Sequence, residues 1–189
     1  VHVLASSHVV SPWRYRNYYP MEWLDVVGPN NTICVAEFRE QDGGSSITQL
    51  MLSRRTFHHP ELDLAVLEVA EREMAIANTE AFGMRRLNLR AADTDLVEDE
   101  PMAFHGHLID AAVDPNDPTA PLPEPQTIQG VALGARGDRI FVRPSEELTE
   151  GMCGGPITDA DMRFVGLLEG TIPQSHPSAP LRGVGVAAS

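Results

Sequence analysis

Apolar runs of strand length, each closed by a turn signal, follow one another along the chain, and this punctuation restricts it to an all-β architecture. In the first half the runs cover residues 1–5, 21–27, 32–39, 47–52 and 64–69. In the second they cover 102–107, 127–133, 139–142, 156–158, 164–168 and 184–187. Asn30-Asn31, Gly43-Gly44 and Gly137-Asp138 stand where hairpin turns belong. One helix-like stretch, AEREMAIA at 70–77, ends in the segment 78–83. The acidic piece 93–100 reads as a join, so the 189 residues are expected to form two small barrels, over 1–92 and 93–189. A proline-rich stretch at 114–125 (DPNDPTAPLPEP) is too rigid and polar for a core strand and is predicted to be a surface loop.

Three segments carry chemistry. Residues 151–156 read Gly-Met-Cys-Gly-Gly-Pro, a glycine-rich turn with a cysteine at its apex. Such a turn presents a nucleophile while its own N–H groups converge where an oxyanion develops in acyl transfer. Ser-Ser-His-Val-Val (6–10) and Asp-Leu-Ala-Val-Leu (63–67) precede it, in the order histidine, aspartate, nucleophile. A thiol with a pKa of ~8.5 is mostly protonated at neutral pH, so Cys153 needs a base beside it. His8 is the candidate base, with Asp63 to fix its tautomer and stabilise the imidazolium. The N–H groups of Gly151 and Cys153 are the candidate oxyanion hole, and Gly154 and Gly155 allow close approach to a substrate.

These segments resemble the catalytic motifs of the chymotrypsin-like (trypsin-fold) peptidases, most closely the HtrA/Deg branch. There the histidine sits in a stretch like Thr-Asn-Ala-His-Val-Val, the aspartate opens Asp-Leu-Ala-Val-Leu, and the nucleophile lies in Gly-Asn-Ser-Gly-Gly-Pro. The similarity continues through ADTDLVEDEPMAFHGH (92–107), GVALG (130–134), DMRFVG (161–166) and GVGVA (183–187), and is poorest over 12–55. It implies two Greek-key barrels of the six-stranded type. The first is expected to be incomplete, because the family has two further strands before its histidine and only seven residues precede His8. It also implies an endopeptidase that acts on polypeptides through His8, Asp63 and Cys153, with no cofactor.

Two departures bear on mechanism. Cys153 stands where the branch has serine, and Met152 where it has Asp or Asn. Gly-x-Cys-Gly-Gly is how picornavirus-type cysteine peptidases of this fold write the turn. Those enzymes place a histidine in the substrate pocket soon after the cysteine, whereas this chain has Leu167, Leu168 and Glu169 in that region. In this fold the pocket floor lies just before the nucleophile and its wall on the strand after it. Leu148, Leu167 and Leu168 would make an aliphatic pocket with Glu169 beside them, which the resemblance favours. Glu146, Glu147 or Glu169 turned inward would instead select a basic residue.

The remaining composition narrows the function classes. A net charge of −13 argues against nucleic acid or an anionic membrane as partner. All 14 basic residues are arginine, which excludes Ser–Lys dyads, Schiff-base chemistry and a P-loop from this sequence. Two cysteines make no disulfide framework, and a working thiolate at Cys153 suits a reducing, intracellular compartment. No signal peptide and no membrane-length apolar run is present, and homo-oligomerisation is left open. Cys34 reads as a small buried hydrophobe. His58-His59 and His105-x-His107 lack partners at metal-ligand spacing, so no metal is expected. The rival reading is an inactive trypsin-like domain that binds or scaffolds proteins. Decay of that kind scatters substitutions, yet His8, Asp63, Gly151, Gly154, Gly155 and Pro156 are all as an enzyme needs, which favours activity. Glu150 or Met152 occupying the oxyanion hole would favour the rival.

Overall fold

The structure, a computed structural model, describes residues 2–39, 47–81, 86–91, 95–109 and 123–189. The chain divides into two compact units, Val1–Arg86 and Leu87–Ser189. Three expectations lie wholly or partly outside the described residues: the Gly43-Gly44 turn, the end of the helix at 82–83 and most of the 114–125 loop. The expected boundary at 92–93 lies there too. Asn88 to Arg90 belong with the second unit, where Leu89 bridges Phe164 and the Arg90 N–H donates to the Phe164 carbonyl at 2.9 Å.

The first unit is built on a four-stranded antiparallel sheet. Its strands are β1 (His2–Ala5), β2 (Val35–Arg39), β3 (Ile47–His58) and β4 (Ala65–Val69), ordered β1-β4-β3-β2. Period-2 burial on β4 places Ala65, Leu67 and Val69 in the core with Leu50 and Leu52 of β3. Val3, Ala5, Val10, Cys34 and Ala36 pack against them. Each fully buried aliphatic chain contributes roughly 1.5–3 kcal/mol. A short helix α1 (Ser7–Val10) follows β1, and α2 (Arg72–Ala81) follows β4, close to the helical stretch read from the sequence. The run at 21–27 is not a strand: Glu22–Asp25 form a 3-10 turn. Only Leu24 of that turn is buried, while Trp23 and Val26 are 55% and 75% exposed, so no alternating face exists to pair into a sheet.

The second unit is a closed six-stranded barrel. Its strands are β5 (Pro101–Leu108), β6 (Glu124–Arg136), β7 (Arg139–Pro144), β8 (Pro156–Asp159), β9 (Phe164–Thr171) and β10 (Gly185–Ala188), ordered β10-β7-β6-β5-β8-β9 with β9 pairing back to β10. Met102, Phe104, Ile128, Ile140, Val142, Ile157 and Leu168 fill its interior. Gly137, with φ at +60°, makes the tight β6–β7 turn expected at Gly137-Asp138. The described residues include no helix long and apolar enough to cross a membrane.

Candidate active site

In the first unit β1 and β4 pair antiparallel with Ala5 opposite Ala65, which brings the end of one strand beside the start of the other. His8 on α1 and Asp63 just ahead of β4 therefore meet. The His8 main-chain N–H donates to Asp63 Oδ1 at 2.8 Å, and its ring Nδ1–H donates to Asp63 Oδ2. A second strap runs from the Ser7 N–H to the Asp63 carbonyl at 3.3 Å. Donation from Nδ1 makes Nε2 the nitrogen that accepts a proton. Burial pushes the Asp63 carboxyl up, but hydrogen bonds from the His8 ring, the His8 N–H and the Tyr15 hydroxyl hold it below the ordinary carboxylate range. Burial and the charge of Asp63 raise the Tyr15 phenol, so it stays protonated and able to donate.

A second polar layer lies behind this pair. The Ser7 hydroxyl donates to the Leu64 carbonyl at 3.0 Å and takes up His58 Nδ1 at 2.8 Å, while Ser11 Oγ lies 3.3 Å from His58 Nε2. Burial and the Arg14 charge push His58 below the ordinary histidine range, so it is a neutral structural histidine. Sequence reasoning missed the roles of Tyr15 and Ser7. Ser7 was legible only as a small residue beside His8, and nothing in the spacing of Tyr15 marks it.

In the second unit the Cys153 turn joins the barrel through its glycines. Gly154, with φ at +79°, donates its N–H to the Leu168 carbonyl at 2.9 Å, and the Leu168 N–H returns to the Gly155 carbonyl at 3.0 Å. A Cβ on Gly155 would sit 1.8 Å from the His105 carbonyl oxygen, and one on Gly151 would sit 2.2 Å from that of His107. No other residue fits either place. Met152 is fully buried and belongs to the barrel core, with Sδ 2.7 Å from where a Cβ on Gly106 would be. The position that the resembled branch fills with Asp or Asn is therefore an apolar plug beneath the turn. Cys153 itself is half-buried.

Glu150–Met152 form a 3-10 turn. The Met152 N–H donates to the Thr149 carbonyl at 3.0 Å, which closes it.

Leu167 and Leu168 are buried, with Leu168 in the barrel core, and Leu148 packs against that core from its edge. Glu169 is ion-paired with Arg139, whose Nε lies 2.7 Å from Oε2. A cavity of about 450 Å³ opens beside them, bordered by Leu148, Glu146, Glu147, Thr171, Ile172 and Gly183 among others. Of the four residues expected to line a pocket, only Leu148 borders this cavity.

The other singled-out residues have structural partners. His105 bridges Thr127 and Thr158, at 3.2 and 2.9 Å, and burial lowers its pKa. His59 Nδ1 accepts the N–H groups of Glu61 and Leu62. Cys34 packs on the first core, and burial pushes its thiol up. Among the described residues no three metal-ligating side chains converge.

No family model matches the sequence, and no curated protein does. Solved structures do match. One is the HtrA-type protease AlgW with a decapeptide, at a TM-score of 0.56 and 14% identity over 99% of this chain and 44% of that one. Another is Deg5, at a TM-score of 0.54 and 16% identity over 90% of this chain and 69% of that one. At these identities the likeness shows the fold, an all-β trypsin-like fold near the HtrA and Deg proteases. The chain spans less than half the length of AlgW.

Proposed function

We propose that the chain is a trypsin-fold endopeptidase in which Cys153 is the nucleophile, His8 the base and Asp63 the group that orients it. The observation that carries this reading is the His8–Asp63 pair, bonded through both the ring and the main chain, in a fold shared with HtrA-type proteases. Cys153 gives its proton to His8 Nε2, and Sγ attacks the peptide carbonyl to form a tetrahedral oxyanion. His8 then passes the proton to the leaving amine as the C–N bond breaks, leaving a thioester on Sγ. Water, deprotonated by His8, cleaves the thioester and restores the thiol. The Gly151 and Cys153 N–H groups serve the oxyanion. One such donor is typically worth about 3–4 kcal/mol of barrier. A nucleophilic thiol of this kind suits a reducing compartment.

The second reading is an inactive domain that binds polypeptide. Cleavage of an unfolded polypeptide such as reduced, alkylated casein separates the two. Wild type is expected to cleave, Cys153→Ala to lose cleavage with its melting temperature nearly unchanged, and Cys153→Ser to retain part of it. Iodoacetamide is expected to label Cys153 much faster than Cys34, whose thiol burial holds protonated. Equal labelling rates, or undiminished cleavage by Cys153→Ala, would overturn the peptidase reading.

A further inference from the structure

The segment that the resemblance covers least carries all three tyrosines of the chain, within Pro-Trp-Arg-Tyr-Arg-Asn-Tyr-Tyr-Pro at 12–20. All three aim their rings at His8. The centroids of Tyr15, Tyr18 and Tyr19 lie 6.1, 6.1 and 6.2 Å from that of the imidazole. Their roles differ with their setting. Tyr15 meets the imidazole edge-on at 76° and donates its hydroxyl to Asp63, so it belongs to the support of the pair. Tyr18 lies nearly parallel to the imidazole, at 22°, yet is 75% exposed.

Tyr18 is held in place by its surroundings. The N–H groups of Tyr18 and Tyr19 share the Tyr15 carbonyl, at 2.9 and 3.1 Å, which closes a compact turn. Arg16 pins the far side of that turn to Asp25 at 2.8 Å and to the Met21 carbonyl. A turn built to hold a large aromatic ring in water beside a base leaves apolar surface that only a partner can cover. Val9, next to His8 in sequence, is also half exposed.

The partner follows from distance. A base that serves the thiol and the leaving amine has the substrate main chain crossing its ring at hydrogen-bond range. Successive Cα atoms are about 3.8 Å apart, so a side chain one residue from the cleaved bond reaches a ring whose centroid is 6.1 Å from the imidazole. We propose that Tyr18, with the Tyr15 ring 6.1 Å behind it, is a specificity-determining surface. It would receive the substrate residue beside the scissile bond and select proline or another apolar side chain over glycine or an acidic one. The tyrosine face packs against such groups, and proline brings a pre-set backbone.

This inference rests on the peptidase reading, and the experiment keeps the two apart. Fluorogenic peptides that differ only beside the cleaved bond, with Pro, Leu, Gly or Asp there, are cleaved by wild type, Tyr18→Phe and Tyr18→Ala. Wild type and Tyr18→Phe are expected to favour Pro and Leu over Gly by about five- to tenfold in kcat/KM, mostly through KM. Tyr18→Ala is expected to bring that ratio within about twofold. An unchanged ratio in Tyr18→Ala overturns the inference and leaves the peptidase reading standing. Absence of cleavage by wild type defeats the peptidase reading instead. Binding of the same peptides to the Cys153→Ala chain, measured by calorimetry with and without Tyr18→Ala, then decides the surface. Equal affinities for the Pro, Leu and Gly peptides would overturn it.

Discussion

Truncating Met152 to alanine tests whether the turn that carries Cys153 stands on an apolar plug. Met152 has no exposed surface and sits in the barrel core against the backbone of Gly106. Losing Cγ, Sδ and Cε removes three groups at about 0.8 kcal/mol each, or about 2.5 kcal/mol of transfer alone. The void is walled partly by main chain of a closed sheet that cannot collapse, which brings the expected loss to about 3–4 kcal/mol. Met152→Leu keeps the volume and is expected to lose under about 1.5 kcal/mol. Both tryptophans, Trp13 and Trp23, and all three tyrosines lie in the first unit, so aromatic fluorescence is blind to this change. Amide hydrogen exchange over Pro156–Asp159 and Phe164–Thr171 in rising urea reads it directly. A Met152→Ala loss below about 1 kcal/mol would refute the plug and return the turn's support to its glycines.

Two further predictions concern charge. Asp63→Asn is expected to slow turnover distinctly less than His8→Ala, because an ionised thiolate–imidazolium pair needs the aspartate only as a support. In a serine enzyme loss of the aspartate costs about four orders of magnitude. Equal severity with folding intact would mean that Cys153 attacks under serine-like general base catalysis. In the second unit Asp159 is buried, and its carboxylate accepts the N–H groups of Asp161 and Arg163 and the Arg163 side chain, at 3.0, 2.9 and 2.8 Å. Burial raises its pKa, but these bonds hold it net below the ordinary value, so its stabilisation is full above pH ~4 and fades as the pH falls through the folded-state pKa. Asp159→Asn, which sets an amide donor against Arg163 Nε, is expected to cost about 2–4 kcal/mol at pH 7, with the gap to wild type closing below pH ~4. A gap that stays constant with pH in hydrogen-exchange unfolding would rule out the charge as its source.

The all-β fold was legible because alternation and turn residues coincide over β4, β5, β7 and β10, where burial on one face follows the sequence pattern. His8 and Asp63 were legible as motifs and meet because adjacent strands end beside one another. The run at 21–27 misled because its apolar residues suit a strand in composition, yet Trp23 and Val26 face water. Leu167 and Leu168 read as pocket lining, but β9 is buried on both faces there and the barrel interior takes Leu168. The 3-10 form of the Cys153 turn had no signal, since glycine at 151 accepts either orientation of the preceding peptide. Tyr15 was hidden because its partner Asp63 lies far along the chain.

The rung between Ala5 and Ala65 also bears on how freely this chain can change. The spacing of His8 and Asp63 is set by one pair of neighbouring strands and by the straps from Ser7 and His8 to Asp63. None of these passes through the long excursion between α1 and β3. Apart from Tyr15, whose hydroxyl donates to Asp63, that stretch can be rewritten or lengthened while the base keeps its orientation. Residues 16–33, within the segment least like the resembled proteases, are the part of the first unit that could change at least cost to that pair. A scaffold so divided lets new substrate contacts be tried beside an unaltered base.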